Sequence, residues 1–115
     1  MSDIEQIQKD CCDHYKADYF PVGSEQMVVI SDGVYEGMPV EGVRYPSPEH
    51  MSGWWLTTDD YKGDVNTLKT VHFHHIQQKR PDIVIYMALP FGYRFQIGSN
   101  DDRVWFDEGV AKEVP

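Results

Sequence analysis

The spacing of apolar positions predicts a helix at the start of the chain. Apolar or semi-apolar residues recur there every three or four positions, at Ile4, Ile7, Cys11 and Tyr15. Ser2 to Glu5 matches a capping box, and Pro21 limits the helix at its other end. We predict a helix within residues 2–20, with Cys11 facing the core and Cys12 near its edge.

A second helical pattern follows the middle of the chain, at Leu68, Val71, His72, His75 and Ile76. Asn66 or Thr67 can cap this helix. Pro81 ends it and, as a first helical residue, can open a third, short helix that continues to Ala88.

Short β-branched and aromatic runs between turn signals predict strands. They cover residues 26–30, 34–35, 40–45, 52–58, 93–98 and 103–107, the last two as antiparallel partners. Alternation in the fourth run puts Trp54 and Leu56 on one face and Trp55 and Thr57 on the other. Residues 89–92 suit a type I turn with Pro second and Gly last. We predict one α+β domain over residues 1–115, an antiparallel sheet of about five short strands packed against two or three helices.

Charge restricts the partners that we expect. The net charge is −9, and residues 1–64 hold 13 acids and four bases, whereas the rest of the chain holds six of each. Such a field repels nucleic acid and anionic membrane and favours a basic partner, although solubility alone is an equally good explanation. No run approaches the ~20 apolar residues of a membrane span. The polar segment 1–10 is unlike a signal peptide, so we expect a cytoplasmic protein.

Two groups of residues could carry chemistry. The adjacent Cys11 and Cys12 are flanked by acids, which does not favour a reactive thiol or a disulfide. His72 and His75 share the predicted core-facing stripe and could converge on a metal, while His74 points elsewhere. The pattern H-E-x-x-H is absent, and His14 and His50 are extra ligands only if the fold brings them close.

Structural histidines are therefore our preferred interpretation, with metal binding and proton transfer as alternatives. No G-x-S-x-G elbow, P-loop, G-x-G-x-x-G or C-x-x-C motif is present. We expect no catalytic residue, no metal and no cofactor.

Several short motifs occur in a characteristic order. They are Ser31-Asp32 after a strand, Ser52-Gly53-Trp54, the Leu-Pro-x-Gly-x-x-Phe segment 89–95, and the Val-Trp-x-Asp-Glu segment 104–108. In this order, over residues 26–108, the chain resembles the immunity protein 33 domain family, once catalogued as a domain of unknown function. His72 and His75 are also similar to a histidine pair on that family's central helix.

The resemblance implies a non-catalytic, cytoplasmic bacterial protein that neutralises a cognate polymorphic toxin by binding it. It implies structural roles for the motif residues and gives no catalytic residue. From exposure and charge we expect the partner-binding residues to be Trp55, Asp59, Asp60, Tyr61 and Asp64, facing a basic toxin surface. The alternatives are a small metal-dependent enzyme that uses His72 and His75, and a regulatory or scaffold module.

Overall fold

A computed structural model of the chain describes residues 3–98 and 102–112. Ser2, half of the predicted capping box, lies outside these residues. The described elements, in chain order, are α1 (Asp3–His14), β1 (Met27–Ile30), β2 (Val40–Arg44), β3 (Met51–Thr57), β4 (Lys69–His72), α2 (Phe73–Lys79), α3 (Pro81–Val84), β5 (Tyr93–Ile97), β6 (Arg103–Phe106) and α4 (Glu108–Ala111).

The described strands form one sheet in the order β4-β1-β3-β2-β5-β6. The predicted α+β class is confirmed. The sheet has six strands instead of about five, and it is mixed, because β1 pairs with β3 in parallel while the other four pairings are antiparallel. The parallel pair arises because the chain passes from β1 to β2 and returns through β3, which lies between them.

One face of the sheet, the inner face, carries the core. Trp54, Leu56 and Phe95 are fully buried, as the alternation predicted for Trp54 and Leu56. The rings of Trp54 and Phe95 lie 5.2 Å apart. Buried residues of α1, α2 and α3 join the same cluster, namely Cys12, Phe73, Ile76, Ile83 and Val84. These three helices therefore cover the inner face.

Helix α1 ends at His14, well short of residue 20. Lys16 adopts the left-handed φ of 57°, and the Ala17 N–H donates to the Cys12 carbonyl at 2.8 Å, which is the bond of a Schellman ending. The predicted orientation of the cysteines is wrong. Cys12 is 2% exposed and Cys11 is only partly buried, because Gln8 and Cys12 share the buried side and Gln8 bonds to the Val84 carbonyl.

The predicted second helix starts too early. Residues 69–72 form β4, which pairs with β1 along its whole length, so ladder hydrogen bonds replace the expected helical turn. A 3₁₀ turn, Val65–Thr67, precedes it, and a second one, Asp32–Val34, replaces the short strand predicted at residues 34–35. Helix α3 begins at Pro81 as predicted, although it ends at Val84.

The turn before β5 is displaced by one residue from the prediction. The Tyr93 N–H donates to the Pro90 carbonyl at 3.3 Å, so Gly92 is the third residue of the turn instead of the last. Its φ of +95° is typical of the third position of a type II turn, which glycine adopts without strain. Strands β5 and β6 then pair antiparallel, as the sequence predicted.

Within residues 3–98 and 102–112, no helix combines the length and the apolar character that a membrane span requires.

Both thiols should react slowly in the folded protein. Burial, helped by the neighbouring Cys12, raises the pKa of Cys11 to about 11, and burial is also the main cause of the raised pKa of Cys12. At pH 7.5, fewer than about one Cys11 thiol in a thousand is then the reactive thiolate. We expect iodoacetamide to leave both cysteines largely unmodified over an hour, and to modify both in the chain unfolded in guanidinium. Rapid labelling of the folded protein, read by mass spectrometry, would contradict this burial.

Candidate functional site

The second face of the sheet, the outer face, carries a row of directly paired side chains. The register links Thr70 to Val29, Val29 to Trp55, Trp55 to Val43, Val43 to Arg94 and Arg94 to Trp105. The row therefore crosses all six described strands. Its members from Val29 to Trp105 are only partly buried, and on β1, β2 and β3 the inner-face residues next to them in sequence are buried. A partly exposed aromatic and aliphatic surface of this kind is typical of an interaction site.

Two aromatic centres stand on this face. Tyr45 packs edge-on against Trp55, with ring centroids 6.0 Å apart. Trp105, three strands from Trp55, has the guanidinium groups of Arg94 and Arg103 at 5.3 and 5.5 Å from its ring. Trp and Tyr with an apolar body and a polar edge are suited to anchoring a protein partner.

Arg94 is held between two acids. It donates to Glu41 at 3.2 Å and to Asp107 at 3.1 Å. The hydrogen bond from Arg94, with those from the Gly109 and Val110 N–H groups, holds the pKa of Asp107 below its ordinary value. Arg94 is thereby fixed beneath Trp105, so that part of the outer face is rigid before any partner binds.

An acidic loop, residues 58–64, follows β3. Its base is buried: the hydroxyl groups of Ser31 and Thr58 are 2.8 Å apart, and the Thr58 N–H donates to the Ser31 hydroxyl. Asp59 and Asp60 are exposed, while Thr58 donates to Asp60. Asp64 is exposed and caps the following 3₁₀ turn by accepting from the Asn66 N–H.

A cleft of about 170 Å³ joins this loop to the outer face. Glu41, Thr57 and Gln96 line it from the sheet, and Asp59 lines it from the loop. Thr57 and Glu41 are paired across β2 and β3, two residues along from the pair of Trp55 and Val43. The acidic loop and the aromatic row are thus parts of one continuous surface.

The predicted partner-binding residues occupy that surface unevenly. Trp55 lies in the row and Asp59 in the cleft, whereas Asp60 and Asp64 also bond within the loop, and Tyr61 is partly buried. Sequence reasoning missed Arg94 and Trp105. Alternation along a strand can show which face each residue occupies, but only the register of β2, β5 and β6 aligns them with Trp55.

Three histidines come together at the junction of β4 and α2. Ligand nitrogens of His72, His74 and His75 all lie within 4.8 Å of one another. His75 is exposed and the other two are partly buried. His75 therefore does not face the core, although the sequence predicted that it would. His74 lies together with His72 and His75 instead of pointing away from them. These two points are part of the grounds for expecting no metal, beside the absent H-E-x-x-H pattern, and the structure removes them.

The motif residues converge on a buried arginine. Arg44 is 1% exposed and donates to the carbonyls of Ser52 at 2.8 Å, Leu89 at 2.8 Å and Phe20 at 2.6 Å. Burial lowers the pKa of Arg44 to about 9. Its guanidinium lies 4.3 Å from the Phe20 ring. Two of these carbonyls belong to the Ser-Gly-Trp and Leu-Pro-x-Gly motifs, so these two motifs help to hold the core together.

A mixed sheet with α1, α2 and α3 packed on one face and an aromatic, acid-bordered surface on the other defines a small α+β domain with a candidate interaction surface. The chain belongs to the Imm33-like domain family, whose model matches residues 7–107. The resemblance noted from the sequence is thereby confirmed. No curated protein and no solved structure matches the chain.

Proposed function

We propose that this protein is a bacterial immunity protein that neutralises a cognate toxin by direct binding in the cytoplasm, without catalysis. Membership of the Imm33-like domain family carries the proposal. The outer face supports it with a second, physical argument, because partly exposed tryptophans on a rigid sheet are suited to protein recognition.

In this proposal the toxin covers the outer face and the acidic loop together. Trp55, Tyr45 and Trp105 are the aromatic anchors, and Asp59 and Glu41 supply negative charge at the cleft. Asp60, Tyr61 and Asp64 extend the acidic edge. A basic toxin surface fits this edge, and attraction between the two raises the association rate more than it lowers the dissociation rate.

The rest of the charge pattern fits a protein partner better than nucleic acid. The charge of Arg94 is neutralised by its two acids, Glu41 and Asp107. The second cation beside Trp105 is Arg103. A nucleic-acid site requires a basic groove along its aromatic side chains, and a net charge of −9 opposes that.

Neutralising the acidic loop should slow toxin binding. The triple variant Asp59→Asn, Asp60→Asn and Asp64→Asn should fold normally, because asparagine can still cap the turn at position 64. We expect the association rate to fall about three- to tenfold at low salt and the deficit to shrink as salt rises, with little change in the dissociation rate. Surface plasmon resonance against the cognate toxin gives both rates.

A charge-matched control separates a local effect from a change in net charge. Asp10, Asp13 and Asp18 are exposed and lie in or just after α1. Changing these three to asparagine removes the same amount of charge. The three positions are far from the cleft residues in sequence and lie on another part of the chain. If both triple variants slow association equally, the loop has no special part in binding; if neither does, electrostatic attraction is not used.

A further inference from the structure

We propose that His72, His74 and His75 form a binding site for Zn²⁺ or a similar divalent transition metal, supported by Glu25. This site is separate from toxin neutralisation and does not depend on it. Imidazole nitrogen is a preferred ligand of zinc, copper and nickel, and three imidazoles leave one position of a tetrahedral zinc for a carboxylate or water.

The arrangement of the three rings supports the site. Ring centroids are 4.3 Å apart for His74 and His75, 5.4 Å for His72 and His74, and 6.2 Å for His72 and His75. Tetrahedral zinc with bonds of about 2.0–2.1 Å needs ligand nitrogens about 3.4 Å apart. The nitrogens here are within 4.8 Å. Small side-chain rotations therefore suffice, and the backbone does not have to move.

No other contact accounts for this grouping. Among the described residues, the rings of His74 and His75 contact the other histidine rings and form no hydrogen bond with anything else. His72 has Glu25 beside it, with Nε2 and the carboxylate oxygen 3.9 Å apart. Buried structural histidines normally have a hydrogen-bonding partner, whereas these rings are open to solvent and to a metal.

The backbone around the site is fixed from two sides. His72 pairs with Met27 at the end of β4, and the Phe73 N–H donates to the Gln26 carbonyl at 2.8 Å. The His74 N–H donates to the Ser24 carbonyl at 3.2 Å. These bonds hold the segment that carries Glu25 against the first turn of α2, so a carboxylate stands beside the three imidazoles.

The position at a helix start opposes a cation only weakly. At an exposed helix end the dipole disfavours a positive charge by about two- to fivefold in affinity per unit of charge. The Phe73 and His74 N–H groups already have carbonyl partners, which reduces their effect further. Glu25 and the net charge of −9 act in the opposite direction.

Calorimetric titration of the tag-free, chelator-treated protein with zinc chloride at pH 7.5 tests the site. We expect one equivalent to bind, and His74→Ala and His75→Ala each to weaken binding at least about tenfold, with Glu25→Gln weakening it by roughly tenfold. His14→Ala, which changes an exposed histidine of α1, should leave binding unchanged. Magnesium should not bind, because it prefers oxygen ligands.

Absence of zinc binding, or equal affinities for the wild type and His75→Ala, would overturn the proposal. If Glu25→Gln binds zinc as tightly as the wild type, Glu25 is not part of the site. Amide NMR spectra give an independent readout that does not depend on any variant: zinc should shift resonances of residues 24–26 and 72–76. Shifts confined to the acidic loop would place the metal elsewhere and also overturn the proposal.

Discussion

Arg44→Met should destabilise the folded protein by about 3–5 kcal/mol, because it leaves several buried carbonyls without a donor and each unsatisfied buried group costs about 1–3 kcal/mol. Among the described residues, no acid forms an ion pair with this side chain; backbone carbonyls of Phe20, Ser52 and Leu89 accept its hydrogen bonds. Methionine fills part of the volume but donates nothing, so these buried carbonyls lose a charged donor. Urea unfolding followed by circular dichroism measures the change.

Arg103→Met is the matched control. Arg103 is exposed, and its only hydrogen bond among the described residues is a long one of 3.5 Å to Gln96. Its loss should change the free energy of unfolding by no more than about 0.5 kcal/mol. If Arg44→Met cost less than about 1 kcal/mol, Arg44 would not hold the three segments together, because such a loss is no larger than that of one ordinary hydrogen bond.

Arg44 also marks the limit of what the sequence could predict. Its strand was predicted, and alternation implies which face it occupies, but an arginine on a core face is not an expected core residue. Its partners are separated from it by 24 residues for Phe20 and 45 for Leu89. Only the folded chain brings those carbonyls together, so the reason for the Leu-Pro-x-Gly motif could not be read locally.

Local patterns succeeded where one face of an element is fully buried. The strand over Trp54 and Leu56, the pairing of β5 with β6 and the start of α3 at Pro81 were predicted from alternation and turn residues. The same approach failed for residues 69–72, where a helical spacing was fulfilled by chance. Pairing with β1 decided that segment, and pairing partners are not visible in a single sequence.

The candidate interface could be predicted only in part, because strand pairing is not visible in a single sequence. Trp55 and the acids of residues 59–64 were chosen from exposure and charge. Their neighbours Arg94 and Trp105 come from strands about 40 and 50 residues further along, and the β2–β5 and β5–β6 registers bring them into line. The histidine cluster was misjudged because a continuous helix was assumed through His72, whereas the strand-to-helix junction turns all three rings together.

Trp55→Ala and Trp105→Ala should each weaken toxin binding at least about 30-fold, which corresponds to the 2 kcal/mol or more lost at an interface hot spot. Both side chains lie on the outer face, where a bound toxin would bury them fully. Because they are in the same row but not in contact, the double variant should lose roughly the product of the two effects. Calorimetric titration with the purified toxin domain measures the affinities.

Phe106→Ala is the control for loss of an exposed aromatic side chain. Phe106 is 51% exposed and follows Trp105 in β6, so its side chain lies on the opposite face of the sheet. We expect this variant to bind the toxin as tightly as the wild type. Equal weakening by Phe106→Ala and Trp105→Ala would place the contact at the β6 edge instead of on the outer face.

The central claim, toxin neutralisation through the outer face, is tested most directly by growth of bacteria that express the cognate toxin. The account predicts that the wild-type chain restores growth, that Phe106→Ala does so equally well, and that the Trp55→Ala, Trp105→Ala double variant, produced at the same level and folded, does not. Cells that die despite full expression of the wild-type chain, or that the double variant protects completely, would contradict it.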